Sequence, residues 1–210
     1  MYVPPYFREA DQAKLFDFIE QHSFGLLISQ LGNEPFASHL PLLVDRSAGP
    51  QGTLVGHMAR ANPHWQMTDR NVLAVFSGPH AYISPTWYEA ENVVPTWNYT
   101  AAHVYGTFEL VESHAATVQI VRDYVSFYEQ RMPSPWTIAD GDAFVDKLAR
   151  SVVAFKIEIS RIEGKQKLSQ NQPRERQEKV VDALSLRRDE NSQAIAALMV
   201  HNLAQEENQG

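Results

Sequence analysis

The sequence predicts a mainly β protein of the α+β class, in which a small barrel carries helices at its periphery. Short apolar segments are separated by tight turns, and the helical patterns lie mostly before and after them. Strands and helices do not alternate regularly, which argues against a doubly wound parallel sheet. The 210 residues suit one domain that can bury a core without disulfides.

Short segments rich in Val, Leu, Ile and Phe predict the strands. The predicted strands are residues 24–30, 35–44, 53–58, 71–77, 80–84, 101–111 and 151–162. Gly32 and Asn33 join the first two as a hairpin. Gly78 and Pro79 indicate a bend, and a loop rich in Pro, Trp, Tyr and Asn is predicted over residues 85–99.

Helices are predicted where a capping residue precedes an amphipathic pattern. The predicted N-terminal caps are Asp11, Asn62 and Ser113, and a further helix is predicted over residues 142–149. In the helix after Ser113, the spacing predicts a buried face formed by Val118, Val121, Val125 and Tyr128. Charged helical sequence follows residue 170. We therefore expect a barrel domain over residues 1–170 and a helical C-terminal extension of the same domain over 171–210.

Composition excludes several classes of function. The chain has no cysteine, so disulfides, thiolate metal sites, iron–sulfur clusters and a cysteine nucleophile are excluded. A net charge of −7 argues against a broad basic surface for nucleic acid. The sequence has no apolar run of membrane-spanning length and no secretory signal pattern at its start, which predicts a cytoplasmic protein without a membrane partner.

Residues suited to ligand binding are concentrated in four segments, 37–41, 56–65, 76–88 and 94–99. These segments are rich in His and Trp, and they carry hydroxyl groups such as Ser38 and Thr96. Arg60 lies where a strand gives way to a helix, a place that suits an anionic phosphate. Together they suggest a site for a phosphorylated ligand with a planar ring.

Other interpretations of these residues stay open. His39 also fits a packed strand position, and Trp87 and Trp97 also fit core or interface anchors. His57 and His64 do not match a standard metal spacing, so no metal site is predicted. The sequence has no GxSxG, HExxH, P-loop or GxGxxG signature.

At these segments the sequence resembles the PaiB family of FMN-binding negative transcriptional regulators. The resemblance rests on motifs spread over nearly the whole chain. These are the opening Met-Tyr-Val-Pro-Pro-Tyr-Phe, Ser38-His39-Leu40-Pro41, residues 56–64 (Gly-His-Met-Ala-Arg-Ala-Asn-Pro-His), residues 82–88 (Tyr-Ile-Ser-Pro-Thr-Trp-Tyr), residues 94–99 (Val-Pro-Thr-Trp-Asn-Tyr) and residues 165–171 (Lys-Gln-Lys-Leu-Ser-Gln-Asn).

The resemblance implies an FMN-binding split β-barrel of the flavin-reductase and pyridoxamine-phosphate-oxidase type, paired as a homodimer with FMN at the subunit interface. The implied cofactor-binding residues are Ser38, His39, His57, Met58, Arg60, Asn62, His64, Ser77, Thr96, Trp97, Asn98, Tyr99, Lys167 and Ser169. His57, Arg60, Asn62 and His64 would surround the phosphate and ribityl end. Thr96, Trp97 and Asn98 would lie near the isoalloxazine ring, with Lys167 and Ser169 closing the site. The arginine-rich phosphate signature of the oxidases is not obvious, which keeps haem as an alternative ligand.

Two functions follow from the resemblance. The first is a flavin-linked repressor of transcription, with DNA as a partner. The second is an FMN-dependent oxidoreductase that does not bind DNA directly, with His39 and Tyr99 as candidate proton donors. The sequence lacks a helix-turn-helix signature, and acidic neighbours interrupt the basic residues from Arg174 to Arg188. This pattern favours a solvated helix face over one that contacts DNA.

Overall fold

The computed structural model describes residues 1–67, 69–139 and 141–207, and the last three residues of the predicted C-terminal extension lie outside this part. The strands are β1 (Arg8–Glu9), β2 (Phe24–Leu31), β3 (Glu34–Asp45), β4 (Thr53–Ala59), β5 (Asn71–Ile83), β6 (Thr96–Leu110) and β7 (Val152–Lys167). The helices are α1 (Gln12–Gln21), α2 (His114–Glu129), α3 (Ala143–Ala149), α4 (Arg174–Ser185) and α5 (Glu190–Glu207). No helix among these residues is both long and apolar enough to cross a bilayer.

The strands form one sheet in the order β1-β7-β4-β3-β2-β5-β6. An additional pairing between β7 and β6 closes the ring of strands β2 to β7 into a barrel. The registered pairs are antiparallel, and neighbours along the chain, such as β2 and β3, pair through a short turn. The predicted barrel with peripheral helices is confirmed.

The chain forms two compact units, each assembled from separate stretches of sequence. The barrel unit comprises Phe16–Phe76 and His103–Ile162. The terminal unit comprises Met1–Leu15, Ser77–Ala102 and Glu163–Gly210. The predicted boundary at residue 170 stays a prediction.

The interior of the barrel unit is filled by alternate side chains of its strands. Leu27, Leu42 and Leu54 are fully buried, and Phe108 stacks on Phe155 with ring centroids 4.7 Å apart. Each such side chain contributes about 1.5–3 kcal/mol when it is removed from water. At Gly106 of β6, an added Cβ would lie 2.3 Å from the Glu158 carbonyl oxygen of β7, so a larger residue would force these strands apart.

Helix α2 packs on the outside of the barrel unit through a different face from the predicted one. Its buried residues are Thr117, Ile120 and Tyr124. The predicted Val118, Val121 and Val125 are only half-buried, whereas the predicted Tyr128 does pack against the buried cluster. The Tyr124 hydroxyl donates to the carbonyl oxygens of Pro41 and Val55, at 2.8 and 2.6 Å. The spacing of valines alone missed a buried face that depends on a threonine and a tyrosine with satisfied hydroxyls.

The terminal unit has its own apolar core. It combines Ile83 of β5 and Leu168 with α4 and α5, which contribute Val180, Leu184 and Ile195 among other residues. Strand β1 pairs with the end of β7, with Arg8 opposite Lys165 and Glu9 opposite Gly164.

Three boundaries differ from the sequence prediction. Strand β5 runs through Gly78 and Pro79 without a break, β6 begins already at Thr96, and β7 continues to Lys167 instead of ending at Ile162. The registered pairing of β5 with β2 covers Leu73 to Val75, so Pro79 lies outside that ladder. The predicted caps are confirmed, since the side chains of Asp11, Asn62 and Ser113 accept hydrogen bonds from the first turns of their helices.

Candidate functional site

The predicted site residues are divided between the two units. The barrel unit holds Ser38, His39, His57, Met58, Arg60, Asn62 and His64. The terminal unit holds Ser77, Thr96, Trp97, Asn98, Tyr99, Lys167 and Ser169.

In the barrel unit, His64 is the centre of a closed polar cluster. The His64 ring is fully buried, with Nδ1 2.9 Å from Ser38 Oγ and Nε2 2.8 Å from Ser29 Oγ. Asn62 donates from Nδ2 to Ser38 Oγ at 3.0 Å and accepts the backbone N–H of His64 at 3.0 Å. Burial lowers the pKa of His64, which favours the neutral ring. These contacts fasten the 3-10 helix Pro63–Gln66 to β2 and β3.

Arg60 is engaged by the protein backbone. Its guanidinium group donates from Nε to the Arg150 carbonyl and from Nη2 to the Val152 carbonyl, both at 3.0 Å. The Arg60 backbone N–H also bonds to Ser151 O at 2.8 Å. Arg60 therefore clamps the segment that joins α3 to β7.

The remaining predicted residues of the barrel unit have separate surroundings. Met58 points into the core with 2% of its surface exposed. The ring of His57 lies edge-on to Tyr124 at 4.7 Å, and its buried Nδ1 has no hydrogen-bond partner within the described residues. Burial lowers the pKa of His57. His39 is exposed and stacks on Phe24 at 6.2 Å.

The terminal unit contains an open cleft of about 390 Å³, within the size range of small-molecule sites. Its positively charged lining residues are Lys165, Lys167 and Arg176, called here the cation cluster. Aromatic rings form part of the wall: Tyr2, Tyr6, Phe7 and Tyr88. No Asp or Glu is among the described residues that line this cleft.

The two lysines of the cation cluster are held in place by neutral groups. Lys167 donates to Thr96 Oγ1 and to the Trp97 carbonyl, the latter at 2.5 Å. Lys165 is 8% exposed, donates to the Tyr2 carbonyl at 3.0 Å and lies 5.1 Å from the centre of the Tyr99 ring. Burial, followed by repulsion from Lys165, lowers the pKa of Lys167.

Arg176 completes the cluster from the first turns of α4. Its Nη1 donates to Gln172 Oε1 at 3.2 Å. Within the part of the chain that the structure describes, no carboxylate forms an ion pair with Lys165, Lys167 or Arg176. A partly buried group of cations without a counter-charge is costly unless an anion binds there.

Asn98 and Ser169 form a buried pair at the edge of the cleft. Asn98 Nδ2 donates to Ser169 Oγ at 3.0 Å, and Ser169 Oγ lies 3.2 Å from Asn98 Oδ1. Ser169 has φ = 67°, a left-handed conformation that residues other than glycine seldom adopt. Such strain is concentrated at functional sites in proteins.

Trp97 presents an exposed ring at the start of β6. It is 53% exposed and lies beside His80 and Tyr82, with ring centroids 6.1 and 5.8 Å away. Ser77 is exposed on β5. The terminal unit thus brings Thr96, Asn98, Lys167 and Ser169 to one cleft, whereas Trp97 and Ser77 face outward.

Sequence reasoning missed Lys165 and Arg176 as site residues. Alternation along β7 could have indicated Lys165, because residues two apart share a face of a strand. Arg176 was assigned to a solvated helix face, and only the tertiary structure turns it toward the cleft.

Two of the solved structures with the same fold are named as flavin-binding proteins. The chain is similar to the flavocytochrome Anf3 from Azotobacter vinelandii, with 12% identity, 79% of this chain and 72% of that chain covered, and a TM-score of 0.57. It is equally similar in fold to an FAD- and haem-binding protein from Mycobacterium smegmatis, with 12% identity, 76% and 73% coverage and a TM-score of 0.57. At these identities the likeness establishes the split-barrel fold of flavin-binding proteins and nothing further.

A family model described as "Putative FMN-binding domain" matches residues 1–161. A protein of Bacillus subtilis, "Protease synthase and sporulation protein PAI 2", is 33% identical over 207 residues, which cover 97% of this chain and 98% of that protein. An uncharacterized protein of Aspergillus fumigatus is 27% identical, with 81% of this chain and 85% of that protein covered. The chain therefore belongs to the PaiB-type family of FMN-binding-domain proteins, and FMN is its best-supported cofactor, ahead of haem.

The groups in the terminal unit fit FMN chemically. The phosphate of FMN carries about −1.5 to −2 charges at pH 7, as free phosphomonoesters do. The cation cluster supplies positive charge, the tyrosine rings supply apolar surface, and Thr96 and Asn171 add polar groups.

The described residues contain no group of three His, Cys, Asp or Glu that could hold a metal ion.

Proposed function

We propose that this protein is a homodimeric FMN-binding protein of the PaiB type that acts as a flavin-linked repressor of transcription. The observation that carries the FMN part is the cleft of the terminal unit, whose cations lack carboxylate partners within the described chain. The repressor part is supported by the family resemblance and by the name of the B. subtilis relative.

The residues of the cleft would hold the cofactor and keep water from one side of it. Lys165, Lys167 and Arg176 supply charge, and Tyr88 and Phe7 supply apolar contact. When bound, FMN supplies reversible electron or hydride transfer. Lys167 is already fixed by Thr96 and Trp97, so little side-chain entropy is lost when an anion binds to it.

An apolar sheet face in the barrel unit supports the homodimer. On β2, β3 and β5 the alternate side chains that do not enter the barrel are partly or fully exposed and mostly apolar. Its apolar members include Phe24, Leu26, Ile28, Ala37, Leu73 and Val75, and the same face also carries the polar residues Gln30, His39, Asn71 and Ser77. Such a contiguous face on a protein of this size is typical of an association surface.

The dimer can be tested by one charge placed in this face. We expect Ile28→Asp to convert the protein to a monomer in sedimentation velocity, because a charge would be buried in the contact. Lys14→Asp on the exposed side of α1 is the matched control and should stay dimeric. A dimeric Ile28→Asp variant would place the contact elsewhere.

Direct DNA contact is the weaker part of this proposal. Basic side chains of the C-terminal helices pair with acidic neighbours: Arg174 with Glu178 at 2.8 Å and Lys179 with Glu175 at 3.0 Å. These pairs are partly exposed and reduce the charge available for phosphate contacts. We therefore propose that flavin binding, rather than a basic surface on α4, is the primary recognition event.

An FMN-dependent oxidoreductase is the second candidate. It is favoured by Trp97, whose side chain is 53% exposed and whose backbone carbonyl accepts a hydrogen bond from Lys167 of the cleft. Tyr99, whose ring centre lies 5.1 Å from Lys165 Nζ, is the candidate proton donor of the predicted set that the terminal unit holds.

The first experiment is the visible spectrum of freshly purified protein, followed by titration with FMN. Flavin bands, or saturable quenching of FMN fluorescence, support the FMN proposal. A Soret band would transfer the proposal to haem, and a colourless protein that does not bind added FMN would overturn it.

A second pair of measurements distinguishes the repressor from the oxidoreductase. Bleaching of bound flavin by NADH or NADPH without DNA retardation favours the oxidoreductase. Salt-sensitive retardation of DNA from the organism's own promoters without turnover favours the repressor.

A further inference from the structure

We infer that the cation cluster Lys165, Lys167 and Arg176 is the phosphate-recognition site for FMN, and that it makes the protein select phosphorylated flavin over riboflavin. The inference rests on the proposed FMN binding. It assigns the phosphate to residues outside the segment 1–161 that the family model matches.

The cluster is built by two neighbouring pieces of the chain. Lys165 and Lys167 are alternate residues of β7 and therefore lie on the same side of the strand. Arg176 follows in α4, after a short connection that includes the left-handed Ser169. All three side chains line the same cleft.

Each member keeps hydrogen-bond donors for a ligand. An ammonium group has three N–H donors, and Lys165 uses one on the Tyr2 carbonyl while Lys167 uses two on Thr96 and Trp97. Arg176 uses one donor of its planar fork on Gln172. A fork with free N–H groups suits the bidentate recognition of a phosphate.

The electrostatics of the cluster match a dianion better than a neutral group. The lowered pKa of Lys167 reflects burial and the nearby Lys165 charge, both of which a bound phosphate would offset. Riboflavin has the same ring and ribityl chain but no phosphate, so it would leave these cations uncompensated.

The alternative phosphate site, around Arg60 and His64, has fewer available groups. Both ring nitrogens of His64 are occupied by serine hydroxyls, and Arg60 spends two donors on backbone carbonyls. Asn62 is tied to Ser38 in the same cluster.

The test compares the dissociation constants of FMN and riboflavin by fluorescence quenching. We expect wild-type protein to bind FMN about 100-fold more tightly, equivalent to about 2.8 kcal/mol. Lys165→Met and Arg176→Met should each lower this ratio by about tenfold, with riboflavin affinity nearly unchanged. Arg174→Met, an exposed and ion-paired position in the same helix, is the control and should keep the wild-type ratio.

Arg60→Met decides between the two phosphate sites. A ratio that stays near the wild-type value supports the cation cluster. A ratio that collapses in Arg60→Met but persists in Lys165→Met overturns the inference while leaving FMN binding intact. Equal wild-type affinities for FMN and riboflavin would also overturn it, whereas no binding of either flavin would refute the proposed function itself.

A measurement on unaltered protein covers the case in which a variant fails to fold. Inorganic phosphate should compete with FMN but not with riboflavin, because it would occupy only the cation cluster. Competition against both flavins, or against neither, would contradict the assignment. Lys167→Arg, which keeps the charge, should retain the preference for FMN.

Discussion

The His64 cluster of the barrel unit and the cation cluster of the terminal unit are both rich in polar side chains, yet they are opposite in character. In the first, each ring nitrogen of His64 has a hydroxyl partner, and the ring is sealed from solvent. In the second, three cations line an open cleft, and within the described chain none of them pairs with a carboxylate.

This difference distinguishes polar groups that maintain the fold from polar groups that await a ligand. Buried polar side chains with complete hydrogen bonding stabilise one conformation. Charges without partners reduce stability and persist where binding requires them. Satisfied hydrogen bonding, rather than residue type, therefore separates the two roles here.

The largest effect is expected for His64→Ala. Removing the ring leaves the Ser29 hydroxyl without its buried partner, leaves Ser38 with Asn62 alone, and opens a cavity, so the free energy of unfolding should fall by about 3 kcal/mol. Urea denaturation measures this change. His39→Ala, an exposed histidine on β3, is the control and should change stability by less than about 0.5 kcal/mol.

Acid should weaken the barrel unit through the same ring. Burial places the pKa of folded His64 below its ordinary value of 6.5. Between the lowered pKa of the folded ring and the ordinary value of 6.5, the unfolded state binds more protons than the folded state. The free energy of unfolding therefore decreases as pH falls below 6.5. The loss is at most about 1.4 kcal/mol per pH unit for this group. A flat stability profile between pH 7 and 5 in urea titrations would contradict the buried neutral ring.

Two alternative substitutions at Ser169 distinguish the contribution of its hydrogen bond to stability from the cost of its left-handed backbone. Ser169→Ala removes the hydroxyl that bonds Asn98 and should cost about 1 kcal/mol. Ser169→Gly removes the same hydroxyl but suits the positive φ, so it should be more stable than Ser169→Ala by about 1 kcal/mol. Thermal unfolding of the two variants gives the comparison, and equal stabilities would mean that the left-handed backbone costs nothing.

The smallest stability effect is expected for Arg176→Met in the protein without ligand. Arg176 makes one hydrogen bond, at 3.2 Å, and no ion pair in the described structure, so unfolding free energy should change by less than about 0.5 kcal/mol. A loss comparable to that of His64→Ala would show that the cation cluster maintains the fold and would remove the distinction drawn above.

The fold could be predicted from sequence because local patterns determine it. Alternating apolar residues located the strands, and side chains such as Ser113 and Asp142 marked helix starts that the structure confirms. Strand lengths were harder, since β6 and β7 continue through polar residues such as Asn98 and Lys165 that lack strand preference. Pairing partners, not propensity, extend those strands.

The site could be predicted only in outline. Thr96, Asn98, Lys167 and Ser169 were singled out by resemblance and do share one cleft. Their roles toward FMN, like those of Ser38 or Arg60, stay predictions, as does the cytoplasmic location. A sequence does not show which polar groups are already hydrogen-bonded, and this information changed the interpretation of His64 and Arg60.

The terminal unit is assembled from three stretches of chain that lie far apart in sequence. Its cleft takes Tyr2 from the first stretch, Thr96 from the second and Arg176 from the third. During synthesis Tyr2 leaves the ribosome long before Arg176, and most of the barrel strands are synthesised between them. A nascent chain therefore cannot acquire the complete cleft until Arg176 of α4 has been synthesised, so the proposed assignment of FMN to this cleft implies that the cofactor binds late in synthesis or after it.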